Sequence, residues 1–221
     1  MTAIVVIRKV ISMQFSNPIS AVAPGLHGRV LSVLARTEQP LTGRAVGGLL
    51  TPPSSVSGVQ RVLDELVRNG VVLAEPAGRA KLYTLNREHV AAPAIIELAN
   101  LRDRFISRLQ AEAQNWEVPA ASVWLFGSAS RRQGGPDSDV DVLVVRPDDV
   151  SDSDPRWLAQ LETLADLATR WSGNPCEIVE YSSTDLQRLI RRRERLVTEL
   201  RRDAVPVAGS SPQQTLNRKT A

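Results

Sequence analysis

Two aspartates open the most strongly β-forming run of the sequence, and this run limits the fold more than any other feature. Residues 140–145 read Val-Asp-Val-Leu-Val-Val, so all but one are apolar and most are β-branched. Such a run favours a strand. Alternate side chains of a strand share a face, so Asp139 and Asp141 project together at its start. The fold must therefore hold two carboxylates side by side at one end of a sheet.

Two carboxylates held that close repel each other, and a divalent cation is the usual relief. Hard oxygen ligands suit Mg²⁺ or Mn²⁺. The strand predicted at Cys176 to Tyr181 offers Glu177 and Glu180, which point to opposite faces. Glu177 lies nearer the strand start and is the better third ligand. A trio of this kind can hold two ions roughly 3.5–4 Å apart, the arrangement used for in-line phosphoryl or nucleotidyl transfer.

A glycine and a serine follow the strand predicted at Ser122 to Phe126. At Gly127 the backbone can approach a phosphate closely, and free amides at a helix start attract one. Arg131 and Arg132 follow one helical turn later, within reach of a triphosphate. The spacing predicts a phosphate site beside the carboxylates.

These residues together resemble the minimal nucleotidyltransferases of the DNA polymerase β superfamily. The shared pattern is Gly-Ser, a short helix with an Arg, Ser-Asp-x-Asp on a strand, and an acid on a later strand. The resemblance covers about residues 121–189 and departs from the pattern at Arg132, where Gly is usual, and at Ser130, where Ala is usual.

The resemblance implies a small α/β domain with a mixed sheet and flanking helices, and a bacterial setting near toxin–antitoxin or antibiotic-modifying enzymes. It implies catalytic and metal-binding roles for Asp139, Asp141 and Glu177. It implies nucleotide binding by Gly127, Ser128, Arg131 and Ser138.

Residues 25–90 show a different order: helix, helix, helix, strand, turn, strand. A helical stripe from Gly25 is ended by Pro40. The second helix has Thr42 as its cap and the third has Ser54 or Ser55. Asn69-Gly70 close the third helix, as a left-handed helix end needs. Two β patterns, Val71 to Glu75 and Ala80 to Leu85, then flank a hairpin-like turn.

This order resembles a winged helix-turn-helix, with its recognition helix from Ser55 to Arg68. The resemblance implies binding of double-stranded DNA, with polar side chains reaching phosphates and base edges. The alternative is a fold that mediates only protein contacts. The candidate DNA-binding residues are Ser55, Ser57, Gln60 and Arg61 on the helix and Arg79 and Lys81 on the hairpin.

Charge is distributed unevenly although the formal net charge is only +3. Residues 25–90 carry 8 basic and 5 acidic side chains, and residues 183–203 carry 7 and 4. Residues 121–182 between them carry 5 basic and 11 acidic side chains. The acidic block holds the predicted metal ligands, whereas the basic blocks suit polyanions. The run Arg191-Arg192-Arg193 is typical of a solvated face, and a groove for a tRNA, RNA or DNA acceptor is the alternative.

Composition excludes several other classes of protein. The single cysteine, Cys176, excludes a disulfide framework and a Cys-based zinc site, and it fits a reducing cytoplasm. No apolar run approaches the ~20 residues of a membrane span. We therefore expect a cytoplasmic protein without a membrane partner.

The predicted organisation is α+β with two domains. We expect a mobile extension over 1–24, with Met13 as an alternative start, and the winged helix over 25–90. A linker helix over 91–117 leads to the nucleotidyltransferase domain over 118–203. That domain ends in a basic helix from Leu186 to Arg202, and a disordered tail follows over 204–221.

Two functional hypotheses follow. The first is an enzyme that moves a nucleoside monophosphate from a nucleoside triphosphate to an acceptor hydroxyl by two-metal catalysis with Mg²⁺ or Mn²⁺, coupled to a DNA-binding winged helix. The acceptor stays open among a protein, an RNA and a small molecule. The second is a DNA-binding transcriptional regulator whose second domain senses nucleotide or is inactive. A homodimer fits either hypothesis, since many winged-helix regulators are dimers.

Overall fold

The chain forms two compact units in a computed structural model that describes residues 13–131 and 138–217. The N-terminal unit is Ser16–Arg104, and the C-terminal unit combines the described residues after Arg104 with the described residues before Ser16. Within the described ranges, the helices are too short or too polar to cross a membrane.

The N-terminal unit consists of helices around a small antiparallel sheet. A 3₁₀ turn, Pro18–Ala21, precedes the regular elements. The sheet order is β1-β3-β2. The elements are α1 (Leu26–Ala35), β1 (Leu41–Thr42), α2 (Gly43–Leu49), α3 (Val56–Arg68), β2 (Val72–Ala77), β3 (Ala80–Leu85) and α4 (Ala92–Ala99).

Local capping explains where α2 and α3 begin and end. The Thr42 side chain accepts from Ala45 N at 3.1 Å, and the Ser55 side chain accepts from Gly58 N at 3.1 Å. Each cap satisfies one amide that a helix start leaves open. Gly70, with φ 72°, follows the end of α3. The predicted helix-helix-helix-hairpin order is confirmed, and the additional strand β1 is too short to show any alternation in the sequence.

The C-terminal unit is built on a mixed sheet with flanking helices, as expected. The sheet order is β6-β5-β4-β7, in which β5 and β6 are parallel and the other pairs antiparallel. The elements are α5 (Leu101–Gln114), which starts at the end of the N-terminal unit, β4 (Ser122–Phe126), α6 (Gly127–Ser130), β5 (Val140–Arg146), α7 (Pro155–Ser172), β6 (Cys176–Ser182), α8 (Ser183–Arg192), α9 (Arg195–Asp203), β7 (Val205–Gly209) and α10 (Pro212–Leu216).

Strand β5 lies inside this sheet and is covered on both faces. Three successive residues of β5 are fully buried: Val142, Leu143 and Val144. Because successive side chains of a strand point to opposite faces, both faces of β5 are inaccessible to solvent. Helix α7 connects β5 to the parallel strand β6, since parallel strands need a crossover connection. It begins after the Asp154 cap with Pro155 in its first turn, as the sequence predicts.

The disordered tail predicted over 204–221 is wrong for the residues that the structure describes. Strand β7 pairs with β4, and Val207 is 5% exposed. Trp124 Nε1 donates to the Ser210 carbonyl at 2.8 Å. Pro206 suits β7 because this is an edge strand, where a missing amide does not break a ladder. The Pro, Gly and Ser content of the tail concealed an apolar alternation that the sheet buries.

The mobile extension predicted over 1–24 is wrong for residues 13–21, whereas residues 1–12 lie outside the described part. Met13 N donates to the Ser172 carbonyl at 3.0 Å. Phe15 is fully buried and packs edge-to-face on Phe105 at 5.3 Å between ring centroids. Ile19, in the 3₁₀ turn, is 1% exposed in the core of the N-terminal unit. Burial of these apolar side chains fixes a segment that has no regular pattern.

Two predicted long helices are each broken in the structure. The linker helix over 91–117 is interrupted at Asn100, a residue with weak helix propensity, which separates α4 from α5. The basic helix is interrupted at Arg193, which adopts the left-handed conformation with φ 54°. The break allows Leu186 of α8 and Val197 and Leu200 of α9 to enter one core cluster. Packing therefore overrides the helical propensity of the arginine-rich run.

Candidate active site

Strand register brings the predicted carboxylates to one end of the C-terminal sheet. Asp141 of β5 pairs with Glu177 of β6 in a parallel register, so the two side chains share a face. Asp139 lies two residues before Asp141, and it is exposed, as is Glu177. The structure therefore brings together the three acids that the sequence predicted.

The pKa of Asp141 is affected by its acidic neighbours. Burial raises the pKa of the half-buried Asp141 carboxyl, and the negative charges of Glu177 and then Asp139 raise it further. The Arg131 guanidinium opposes the rise, whereas Glu199 of α9 adds to it. A bound cation would relieve this repulsion.

The donor chemistry of this cluster fits a hard divalent cation, because all three groups supply carboxylate oxygens. The side chains do not form a closed ligand set: among residues 13–131 and 138–217, no three His, Cys, Asp or Glu side chains are grouped tightly enough to hold a metal ion. The cluster therefore fits a divalent cation in the type of its donors, which are carboxylate oxygens on one face of the sheet, and not in a closed arrangement of ligands.

Gly127 makes room for the Asp141 carboxylate. It follows β4 directly, and its φ is 72°. A Cβ added to Gly127 would lie 2.1 Å from Asp141 Oδ2, much closer than any real contact. Glycine is thus required at position 127 for two reasons: the backbone is left-handed there, and the Asp141 carboxylate packs against it. Ser128 follows in the four-residue helix α6, which the Ser130 hydroxyl stabilises by donating to the Gly127 carbonyl at 2.7 Å.

Arg131 ends this short helix and is held by an acid that the sequence analysis missed. Its Nη1 donates to Asp203 Oδ2 at 2.5 Å, across 72 residues of chain. Asp203 is the last residue of α9, and its side chain is only 4% exposed. Arg132, which was also expected near a phosphate, lies outside the described residues.

Ser138 is held by another residue that the sequence did not reveal. Asn174 is fully buried; its Nδ2 donates to the Ser138 carbonyl at 2.8 Å and its Oδ1 accepts from Met13 N at 2.9 Å. Val140 N donates to the Pro175 carbonyl at 2.8 Å. Asn174 therefore fixes the backbone just before Asp139. Its only sequence signal was an amide side chain directly after the helix-ending Gly173.

Cys176 lies beside Glu177 but has no features of a nucleophile. Burial, and then the charges of Asp141 and Glu177, raise the pKa of its thiol to about 12. The thiolate is the reactive form, so the thiol stays protonated and inert at neutral pH.

Comparison with known proteins concerns the same part of the chain. Residues 106–207 match the family model described as "Nucleotidyltransferase domain". The chain carries a nucleotidyltransferase domain. No curated protein matches the sequence. A solved structure described as "Crystal structure of the toxin-antitoxin with AMP-PNP" is 18% identical over 52% of this chain and 84% of that chain, with a TM-score of 0.32. So low a TM-score gives that likeness no weight.

The match spans every residue of the candidate site in the C-terminal unit. It includes β4 to α9 and the first residues of β7, and so contains Asp203 and Asn174 as well as the three acids. The nucleotidyltransferase domain therefore extends into the segment that composition had suggested was disordered.

Asn174 offers a stability test within the nucleotidyltransferase domain. We expect Asn174→Ala to lower the free energy of unfolding by about 2–4 kcal/mol, because the buried Met13 amide and Ser138 carbonyl each lose a partner. Urea denaturation measures the change. Asn115→Ala is the matched control, because the Asn115 Nδ2 donates to the Ala111 carbonyl at an exposed position. An equal loss of unfolding free energy in both variants would contradict the role given to Asn174.

The predicted DNA-binding residues occupy two exposed edges of the N-terminal unit. Ser57 and Arg61 are exposed on α3, and Arg79 and Lys81 are exposed around the β2–β3 turn. Ser55 serves as the helix cap.

Gln60 differs from the other candidates, because it is half-buried and its Nε2 donates to the Tyr83 hydroxyl at 2.8 Å and to Asp64 at 2.9 Å. These bonds tie α3 to β3. The winged-helix interpretation and its DNA contacts stay predictions.

Proposed function

We propose that the C-terminal unit transfers a nucleoside monophosphate from a nucleoside triphosphate to an acceptor hydroxyl. The acceptor oxygen bonds to the α-phosphorus, the bond between the α- and β-phosphates breaks, and pyrophosphate leaves. The observation that carries this proposal is the register of Asp141 with Glu177, with Gly127 packed against Asp141, inside the segment that matches the nucleotidyltransferase family model. The alternative interpretation is that the two acids are only solvent-exposed residues at the start of a strand. The glycine fitted against one of them supports a built site.

Each residue of the site has a proposed task. Asp139, Asp141 and Glu177 hold Mg²⁺ or Mn²⁺, which when bound polarises the phosphate and lowers the pKa of a hydroxyl. Glu177, exposed at the edge of the cluster, accepts the proton of the acceptor hydroxyl. The triphosphate is bound by Gly127, Ser128, Arg131 and Ser138.

The proposal is tested by incubating the protein with each ribonucleoside triphosphate, labelled at the α-phosphate, together with Mg²⁺ and cell extract. Labelled product that protease destroys indicates a protein acceptor, and labelled product that ribonuclease destroys indicates an RNA acceptor. Labelled product that resists both enzymes indicates a small-molecule acceptor. Omission of Mg²⁺ is expected to abolish labelling, and restoration by Mn²⁺ is expected because both ions accept oxygen ligands. Absence of label with every triphosphate contradicts the enzyme.

A second candidate function rests on the N-terminal unit. Arg61, Arg79 and Lys81 are exposed on α3 and the hairpin, and residues 25–90 carry a net charge of +3. We propose that this unit binds double-stranded DNA as a winged helix-turn-helix. A regulator whose second domain only senses nucleotide is the alternative, and it is favoured if DNA is bound tightly while no triphosphate is incorporated.

Arg61 tests the DNA interface. We expect Arg61→Ala to weaken binding to a pool of random-sequence double-stranded DNA by about 5–10-fold and to reduce the salt dependence by about one counterion, because a phosphate contact is lost. A salt-titrated mobility shift measures both. Arg104→Ala is the control, since that exposed arginine of the same unit pairs with Glu97 at 2.6 Å. Unchanged affinity for Arg61→Ala overturns the assignment of α3.

A further inference from the structure

We propose that Asp203 is a positioning residue for the nucleotide site: it holds the Arg131 guanidinium where the triphosphate binds. The inference rests on the proposed function, because it gives a task to an acid next to a predicted phosphate-binding arginine. It extends the site to α9, which carries none of the predicted catalytic or nucleotide-binding residues.

The contacts of Asp203 define one orientation for Arg131. Asp203 Oδ2 accepts from Arg131 Nη1 at 2.5 Å, and its two oxygens accept from Arg202 Nε at 2.8 Å and Nη2 at 2.7 Å. A guanidinium carries its donors in a rigid fork, so a bond at one nitrogen restricts the directions that the other donors can take. The same carboxylate also accepts two hydrogen bonds from Arg202, which favour the orientation that it has toward Arg131.

The location of Asp203 is locally unfavourable and so calls for a tertiary explanation. It is the last residue of α9, where the negative end of the helix dipole disfavours an acid. The Arg202 hydrogen bonds, and those of Arg131, hold the pKa of Asp203 below its usual value. The two arginines therefore compensate a charge that the helix alone would disfavour.

Arg131 is also electrostatically linked to the acidic cluster, since its positive charge opposes the rise in the pKa of Asp141. The group of Arg131, Asp203 and Arg202 has two positive charges and one negative charge, so it still attracts an anion. The guanidinium bonds to the acid that anchors it, and its charge also acts on an acid that is proposed to bind metal. This is a suitable place for an oxygen of a triphosphate.

Helix α9 can act as a rigid support for this contact. Val197 and Leu200 are fully buried in the cluster that contains Trp124 of β4 and Leu143 of β5. Arg131 follows the end of β4 by way of α6. Both partners of the ion pair are therefore attached to the same sheet, and their separation is fixed by packing.

The experiment measures binding by titration calorimetry. The full chain is titrated with Mg²⁺-tripolyphosphate and with each Mg²⁺-ribonucleoside triphosphate, and the dissociation constants are compared. We expect Asp203→Asn to weaken binding about tenfold, because the side chain keeps its shape but loses the charge that orients Arg131. Asp203→Glu keeps the carboxylate one methylene further out and is expected to bind about threefold more weakly than wild type. Thermal unfolding of each variant confirms that it is folded.

The double variants separate positioning from a general structural effect. In an Arg131→Ala background, either Asp203 variant is expected to change the affinity by less than about twofold, because the group that it orients is gone. If an Asp203 variant loses the same affinity in the wild-type background and in the Arg131→Ala background, the proposal is overturned. Asp203→Glu alone is enough for this comparison if Asp203→Asn does not fold. Glu117→Gln, which breaks the exposed Arg156–Glu117 pair at 3.1 Å, is the control and is expected to leave binding unchanged.

Failure of the proposed function and failure of the positioning role give different binding results. If the wild-type chain binds no triphosphate, the proposed function fails and this inference fails with it. If the wild type binds and Asp203→Asn binds equally well, only the positioning role is wrong.

Discussion

Simultaneous replacement of Asp139 and Asp141 by asparagine is expected to lower nucleotidyl transfer by at least about 10³-fold. Asparagine keeps the size of each side chain but removes both charges that would hold the cation and offset its cost of dehydration. A factor of that size corresponds to about 4 kcal/mol of transition-state stabilisation. The rate of label incorporation at saturating Mg²⁺ measures it.

The fold is expected to survive this change. Asp139 is exposed, and the pKa of Asp141 is raised in the folded chain, so its ionised form is disfavoured there. Loss of that charge relieves repulsion with Glu177 and costs no stability. The exposed aspartates Asp149 and Asp152, changed together to asparagine, provide the matched control with the same change in net charge. Label incorporation that persists in Asp139→Asn/Asp141→Asn rejects the site.

Gly127→Ala is expected to lower the free energy of unfolding by about 2–4 kcal/mol and to reduce transfer by at least about 100-fold. The left-handed backbone, with φ 72°, alone costs an L-residue about 1–2 kcal/mol. The added methyl group would lie 2.1 Å from Asp141 Oδ2, so the carboxylate or the start of α6 must move. Both expectations follow from one contact, and urea denaturation and label incorporation measure them separately.

Gly48→Ala is the control for this substitution. Gly48 lies in α2 of the N-terminal unit, and a Cβ there would meet nothing within 4 Å. Alanine favours a helix over glycine by about 0.5–1 kcal/mol, so this variant is expected to be as stable as the wild type or more stable. If Gly127→Ala unfolds at the wild-type urea concentration with full activity, the packing of Asp141 against Gly127 has no functional importance.

Chain-local signals predicted much of the secondary structure. The caps Thr42, Ser55 and Asp154 each act within three residues of their partner amide, so their effect can be read without the fold. Strands β4, β5 and β6 follow from runs of apolar residues that no tertiary contact contradicts. The same local reasoning failed at Arg193, where the gain from burying Val197 and Leu200 exceeds the cost of one left-handed arginine.

The acids of the site show where local reasoning ends. Asp139 and Asp141 are paired by the two-residue period of one strand, which is a property of the backbone. Their approach to Glu177 needs the parallel register of β5 with β6, which the crossover helix α7 and the sheet core determine. The sequence could propose Glu177 because it starts the next predicted strand, but it could not establish the pairing.

The sequence by itself determined most of the order of elements, the caps and the paired aspartates, because each depends on interactions within one turn or one strand. Only the tertiary structure decided the hydrogen bonds of Arg131 with Asp203 and of Ser138 with Asn174, at separations of 72 and 36 residues. It also decided that residues 205–209 complete the sheet. These contacts depend on which surfaces the packed core brings together, and no local period or propensity in the chain encodes them.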